Sequence, residues 1–178
     1  MALKVDVRLG MMPGDHMRET ERKFRLANRP DPSILGPGVP IAQGYLITQG
    51  GEERIRRKGD RCFWTVKGEG DLTRDEFEVE VPEWVFSLLW PHTEDRRIEK
   101  TRHMVTWDGF ALEVDVYHGA LAGLVILECE FRDQDAALSF RLPEWAAEAR
   151  EVTWDERYKN RNLCLAGLPD HPDAATRP

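Results

Sequence analysis

The residues of this sequence that could do chemistry come as charges two positions apart. Glu19, Glu21 and Lys23 form the first run, followed by Arg54, Arg56 and Lys58, and then by Lys67. Glu76, Glu78 and Glu80 come next, then Lys100 and Arg102, Glu113 and Asp115, and Glu128 and Glu130. In an extended strand, residues i and i+2 share a face, so each run sets its charges side by side. The residues between them, such as Phe77, Val79, Val114, Val116, Leu127 and Cys129, are apolar and take the opposite face. Like charges side by side repel, and an outer face usually mixes Thr, Ser, Lys and Glu; here acidic and basic pairs are segregated strand by strand. A solvated face explains any one strand; across all of them a charged interior explains the pattern better. Interior charges are costly unless they are paired or bind ions. Clustered carboxylates suit hard cations such as Mg²⁺ or Mn²⁺, and clustered Arg and Lys suit phosphate oxygens. A polyanion accompanied by divalent metals needs both in one cavity, which is the setting of phosphoryl transfer.

Strands must hold these side chains. Candidate strands run at about 18–27, 42–49, 52–59, 61–68, 73–81, 95–107, 110–118 and 123–132. Turn signals separate several of them: Gly50-Gly51, Gly59-Asp60, Gly68 through Asp71, and Asp108-Gly109, the strongest hairpin signal. Short helices are expected at about 82–90, with Pro82 near the first turn, at about 133–141, with Asp133 as N-cap, and within 143–166. Eight strands joined largely by short turns imply a barrel or a two-sheet sandwich with flanking helices, mainly β with some α.

At 178 residues the chain fits one domain with a sizeable core. No apolar run approaches a membrane span, and the first residues lack the apolar stretch and cleavage site of a secretory signal. Three cysteines, Cys62, Cys129 and Cys164, have no metal-type spacing and read as reduced thiols of a cytoplasmic protein. The formal charge of -7 argues against nucleic acid or an anionic membrane as partner of the outer surface. Residues 1–16 read as an extension without clear period, 17–168 as the folded domain and 169–178 as a disordered tail. The five histidines are scattered, and the segment 30–40 reads as a loop with no Gly-Lys-Ser/Thr to make it a phosphate-binding one. Trp84, Trp90, Trp145 and Trp154 fall near helices and read as packing residues.

Glu19-Thr20-Glu21-Arg22-Lys23 is similar to the ExExK signature of the CYTH superfamily, the triphosphate tunnel metalloenzymes. The resemblance continues in order through Arg54-Ile55-Arg56, Lys67, Arg74-Asp75-Glu76-Phe77-Glu78, Lys100-Thr101-Arg102, Glu113-Val114-Asp115 and Glu128-Cys129-Glu130. It extends to Leu142-Pro143-Glu144-Trp145 and Glu151 through Asn160, so it covers about residues 17–166. The resemblance implies a closed eight-stranded antiparallel β-barrel that binds triphosphate with Mg²⁺ or Mn²⁺ at two sites. It implies that Glu19, Glu128 and Glu130 hold one metal. Glu21, Glu76 and Glu78 would serve a second metal or the attacking water, and Asp115 is a further candidate ligand. Lys23, Arg54, Arg56, Lys67, Lys100 and Arg102 would clamp phosphate, with Lys23, Glu76 and Glu78 nearest the chemistry. The segment Glu151–Asn160 most resembles the small bacterial inorganic triphosphatases, which implies hydrolysis of tripolyphosphate and a possible homodimer. Class IV adenylyl cyclases and thiamine or nucleoside triphosphatases share most of the signature, and a polyphosphate or nucleotide sensor without turnover is the non-enzymatic alternative.

Overall fold

The computed structural model describes residues 16–46, 52–67 and 73–169, with the side chains of 16–19 and 73–75 outside the described set. Nine strands form one antiparallel sheet: β1 His16–Arg25, β2 Gly38–Tyr45, β3 Glu52–Lys58, β4 Arg61–Lys67, β5 Thr73–Val81, β6 Arg97–Trp107, β7 Phe110–Tyr117, β8 Val125–Phe131 and β9 Arg150–Glu151. Four short helices accompany them: α1 Pro32–Leu35, α2 Glu83–Leu89, α3 Gln134–Ser139 and α4 Asn160–Ala166. Strand order is β5-β4-β3-β2-β6-β7-β8-β1-β9, with an additional pairing of β5 to β1.

This is not the closed eight-stranded barrel expected. β1 meets β5 only through residues 16–20, whose partners are 73–77. Beyond that stretch the same strand pairs with β8 on one side, and β9 takes Phe24 and Arg25 on the other. Strands of a twisted sheet cross at an angle and run past one another. The edge that β1 exposes after leaving β5 is covered by Arg150 and Glu151, as a bare strand edge must be. A two-residue strand carries no period, so the sequence does not announce it.

Local chemistry explains most boundaries. Asp108 and Gly109 have φ of 47° and 79°, and this left-handed pair makes the tight turn whose twist suits a hairpin. Asp133 caps α3 by accepting from the Ala136 N–H at 2.7 Å, whereas Pro82 occupies the cap position of α2 without a side-chain bond. β2 begins four residues earlier than the expected 42–49, inside the segment read as a loop. Pro40 lacks the N–H that strands use, yet it sits in β2 with its carbonyl accepting from Gly59 N–H at 2.9 Å. The Gly50-Gly51 turn and the turn of residues 68–71 lie outside the described residues, as do 1–15 and 170–178.

The main apolar core lies on the outside of the curved sheet. Phe24, Leu112, Val114, Leu127 and Cys129 pack there under Leu35 of α1 and Ala137 and Phe140 beside α3. Phe110, Phe131 and Phe140 meet edge to face at 5.3–5.5 Å, a favoured aromatic geometry. A second cluster stoppers one end of the inner face, where Ile98, Tyr117 and Ile126 pack with Tyr158 and Leu163 from the C-terminal segment. A third joins Ile55 and Cys62 to Phe86 of α2, and Trp90 stacks on Phe86 at 4.9 Å. Trp84 does not pack as expected: α2 turns it outward, 67% exposed. Arg22 staples the C-terminal segment to β1, gripping Glu151 with two bonds of 2.8 Å and the Ala137 carbonyl at 2.8 Å. Among the described residues no helix is long and apolar enough to cross a membrane.

Candidate functional site

The inner face of β1 and β3–β8 encloses a cavity of about 920 Å³ lined mainly by charged side chains. Strand register explains the arrangement: Arg54 faces Thr65, which faces Glu78, and Lys67 faces Glu76, all on one side of the sheet. Arg56 reaches both oxygens of Glu78 from one nitrogen, at 2.7 and 2.8 Å, and the Thr65 hydroxyl donates to Glu78 at 2.6 Å. Arg54 lies 3.5 Å from Glu78 and 3.8 Å from Glu76, and Lys67 lies 2.5 Å from Glu76. Among the described residues the buried Nε atoms of Arg54 and Arg56 have no hydrogen-bond partner. At the rim, Arg61 pairs with Glu80, and the guanidinium groups of Arg56 and Arg61 lie 5.6 and 5.1 Å from the Phe63 ring centre.

Across the cavity, Lys23 lies 2.9 Å from Glu128 and 3.8 Å from Glu21. Arg102 pairs with Glu113, with Glu128 at 3.0 Å, and through two bonds with Asp115 at 2.7 and 2.6 Å. Lys100 also contacts Asp115. Lys23 is held from outside the cavity: its N–H donates to the Thr153 hydroxyl at 3.0 Å, and its carbonyl accepts from Val152 N–H at 2.8 Å.

Burial and these partners set the charge states. Burial, with the neighbouring Arg54, pushes Arg56 down to about 10. Burial opposes ionisation of Glu78 and Glu128, yet the cations around them prevail: Arg56 with Arg54 and the Thr65 hydroxyl lower Glu78, and Lys23, Lys100 and Arg102 hold Glu128 well below the usual carboxylate range. Burial raises Glu113 despite Arg102.

Of the residues picked from sequence, Glu21, Lys23, Arg54, Arg56, Lys67, Glu76, Glu78, Arg102, Glu128 and Glu130 line this one cavity, together with Lys58, Glu80 and Glu113. The side chain of Glu19 lies outside the described residues. Lys100 and Asp115 are brought near but do not line the cavity; they are buried behind Arg102, 2% and 0% exposed. Sequence reasoning passed over Glu52 and Arg61, which extend the same i, i+2 rows on β3 and β4 and so carried a usable signal. Lys159 and Asn160 enter the cavity from the C-terminal segment, within the stretch 151–160 that carries the family resemblance and outside any strand period.

Among the described residues no group of three or more His, Cys, Asp or Glu is gathered to hold a metal ion. The donor chemistry nevertheless fits hard cations. Glu21 stands opposite Glu130, and Glu113 opposite Glu128, in the strand register. Carboxylates so placed repel unless positive charge lies between them.

No family model matches the sequence. A search of curated proteins finds the inorganic triphosphatase of Nitrosomonas europaea, 45% identical over 153 residues, 84% of this chain and 99% of that protein. The inorganic triphosphatase of Acetivibrio thermocellus is 37% identical over 149 residues, 82% of this chain and 92% of that one. Among solved structures, the inorganic triphosphatase NE1496 superposes with a TM-score of 0.62 at 42% identity, covering 85% of this chain and 98% of the other. A Hippeastrum protein described as an adenylyl cyclase candidate with dominant triphosphatase activity matches at TM-score 0.51 and 16% identity, over 67% of this chain and 82% of that one, a likeness of fold alone. Identity at this level across nearly the full length of both relatives joins the ionic cavity to one lineage: the chain belongs to the inorganic triphosphatases, within the CYTH fold.

Proposed function

We propose that the chain hydrolyses inorganic triphosphate to pyrophosphate and orthophosphate inside this cavity, with Mg²⁺ or Mn²⁺ at two sites. The observation that carries the reading is the pair of buried Nε donors of Arg54 and Arg56, which among the described residues have no partner in a cavity built of charge. A buried donor left unmade is costly, and phosphate oxygens answer that need. Among the described residues the cavity is lined by nine basic and eight acidic side chains, an excess of one positive charge. A triphosphate at neutral pH brings about four negative charges, far more than that excess offsets, so cations must accompany it into the low-dielectric site.

In this reading Glu19, Glu128 and Glu130 hold one cation, and Glu21, Glu76 and Glu78 hold or face a second. Such cations, when bound, neutralise the phosphate chain and lower the pKa of a water. Arg54, Arg56, Lys67 and Arg102 turn from their carboxylate partners to phosphate oxygens, and the carboxylates they release are freed for the cations. Lys23 stabilises charge that grows on the phosphate. Water attacks the terminal phosphorus in line; its oxygen forms the new bond as the bridging P–O bond breaks, and a glutamate, Glu76 or Glu78, accepts the proton. We also propose that the working unit is a homodimer and that its place is the cytoplasm, where the three free cysteines stay reduced.

The test is phosphate release from tripolyphosphate, ATP, thiamine triphosphate and pyrophosphate, with Mg²⁺, Mn²⁺ or chelator. Fastest release from tripolyphosphate, abolished by chelator, is expected. Cyclic AMP formed from ATP, or tight binding without turnover, would overturn the proposal.

A further inference from the structure

We infer that Lys100 and Asp115 are positioning residues that aim Arg102 into the cavity, and that neither touches substrate or metal. This rests on the triphosphate reading for the role of Arg102, but its geometry stands separately. Asp115 is 0% exposed, and both its oxygens are occupied: Oδ1 accepts from Arg102 Nε at 2.7 Å, and Oδ2 accepts from Arg102 Nη2 at 2.6 Å and from Lys100 Nζ. A carboxylate so saturated with charged donors has little capacity left for a cation. Lys100 is enclosed between Asp115 and the Tyr117 ring, whose centre is 5.3 Å from Nζ.

The guanidinium of Arg102 is a rigid planar fork. Asp115 grips its inner edge, while Nη1 and Nη2 reach Glu113 and Glu128 on the cavity wall. Substrate can displace those wall contacts without loosening the grip beneath. Lys100 supplies the second positive charge that makes two closely neighbouring carboxylates, Asp115 and Glu128, tolerable beside one arginine. The support continues outward, because the Tyr117 hydroxyl donates to Asn160 Oδ1 at 2.6 Å on the C-terminal segment.

The test uses the full chain with Asp115→Asn, Lys100→Met, Arg102→Gln and the Asp115→Asn/Arg102→Gln double variant. Readouts are kcat and KM for tripolyphosphate, calorimetric affinity for tripolyphosphate, and Mn²⁺ affinity without substrate. Asp115→Asn should lower kcat/KM about 10–100-fold, mainly through KM, and leave Mn²⁺ affinity within about twofold. In the Arg102→Gln background the same change should add less than about threefold, since the two act as one unit. Lys100→Met keeps the Arg102–Asp115 fork and should lower kcat/KM by less than about tenfold. A tenfold loss of Mn²⁺ affinity in Asp115→Asn would make Asp115 a ligand. Multiplying losses in the double variant, or a collapse of tripolyphosphate affinity in folded Lys100→Met, would likewise overturn the inference. Should Asp115→Asn not fold, the Lys100→Met result decides. A wild-type protein that binds tripolyphosphate without releasing phosphate would defeat the hydrolase reading alone, and the calorimetric arm would still decide the role of Asp115.

Discussion

Arg56→Met should make the ligand-free protein more stable while disabling its phosphate clamp. Arg56 is 9% exposed, and burial pushes it down to about 10. At about 1.4 kcal/mol for each pH unit, that depression is roughly 3 kcal/mol of folding free energy opposed by this one charge. The folded pKa is the depressed one, so folded and unfolded chains both carry the proton at pH 7 and the opposition is fully present there; it is relieved only as pH rises through about 10 toward the ordinary arginine range. Methionine removes it. Against this gain, Glu78 loses its contacts at 2.7 and 2.8 Å but keeps the Thr65 hydroxyl at 2.6 Å and Arg54 at 3.5 Å. That loss is already contained in the net depression, because Glu78 is among the groups that hold Arg56 up, so a gain of about 1–3 kcal/mol remains and the melting temperature rises by roughly 2–12 °C for a chain of this size. Scanning calorimetry of metal-free protein at pH 7 measures the first half, and phosphate release the second. A melting temperature lowered by several degrees, or kcat/KM unchanged, would refute the view that this arginine is strained for the sake of an anion.

Lys23→Ala and Glu130→Gln should each abolish metal-dependent phosphate release, and turnover unchanged in both would remove them from the site. Arg22→Met should shift the urea midpoint by an amount equal to about 1.5–3 kcal/mol, because it unmakes the half-buried grip on Glu151 and Ala137; an unmoved midpoint would mean the C-terminal segment is held by its apolar contacts alone. Stability should fall on acidification. Glu128 and Asp115 have folded pKa values below their ordinary ones, so their contribution is present above about pH 4 and is lost as pH falls through the folded values. Glu113, raised by burial, works in the opposite sense and softens the loss. Urea midpoints at pH 7, 5 and 3.5 would test the balance, and a midpoint that rises toward pH 3.5 would contradict it.

Much of the site was legible because a strand's period of two is rigid. Arg54 and Arg56, Glu76 and Glu78, and Glu128 and Glu130 share a face by covalent geometry alone, and segregated sign pointed that face inward. Parity says which face a side chain takes but not its depth along the strand. Lys100 and Arg102 therefore looked equivalent, as did Asp115 and Glu113, although one of each pair lines the cavity and the other is sealed behind it. Depth is decided by the stopper of Tyr158 and Leu163, side chains remote in sequence. β2 was displaced in the reading because Pro40 breaks the local rule for strands, and its inward side chains Ile41, Gln43 and Tyr45 carry no charge pattern. β9, Lys159 and Asn160 lie in a C-terminal segment of very short elements, where position is set by tertiary contact.

Most of the apolar mass of this protein lies outside its sheet and most of the salt within, and that inversion bears on how the molecule comes apart. Urea is uncharged and loosens apolar and peptide contacts alike. Guanidinium chloride does the same, but its cation is the head group of arginine itself, and its salt screens ion pairs. A chamber of about 920 Å³ lined by carboxylates already bound to arginines admits that cation as a competitor for Glu76, Glu78 and Glu128. Urea thus leaves the ionic lining to stand or fall with the fold, while guanidinium chloride attacks the shell and the lining together.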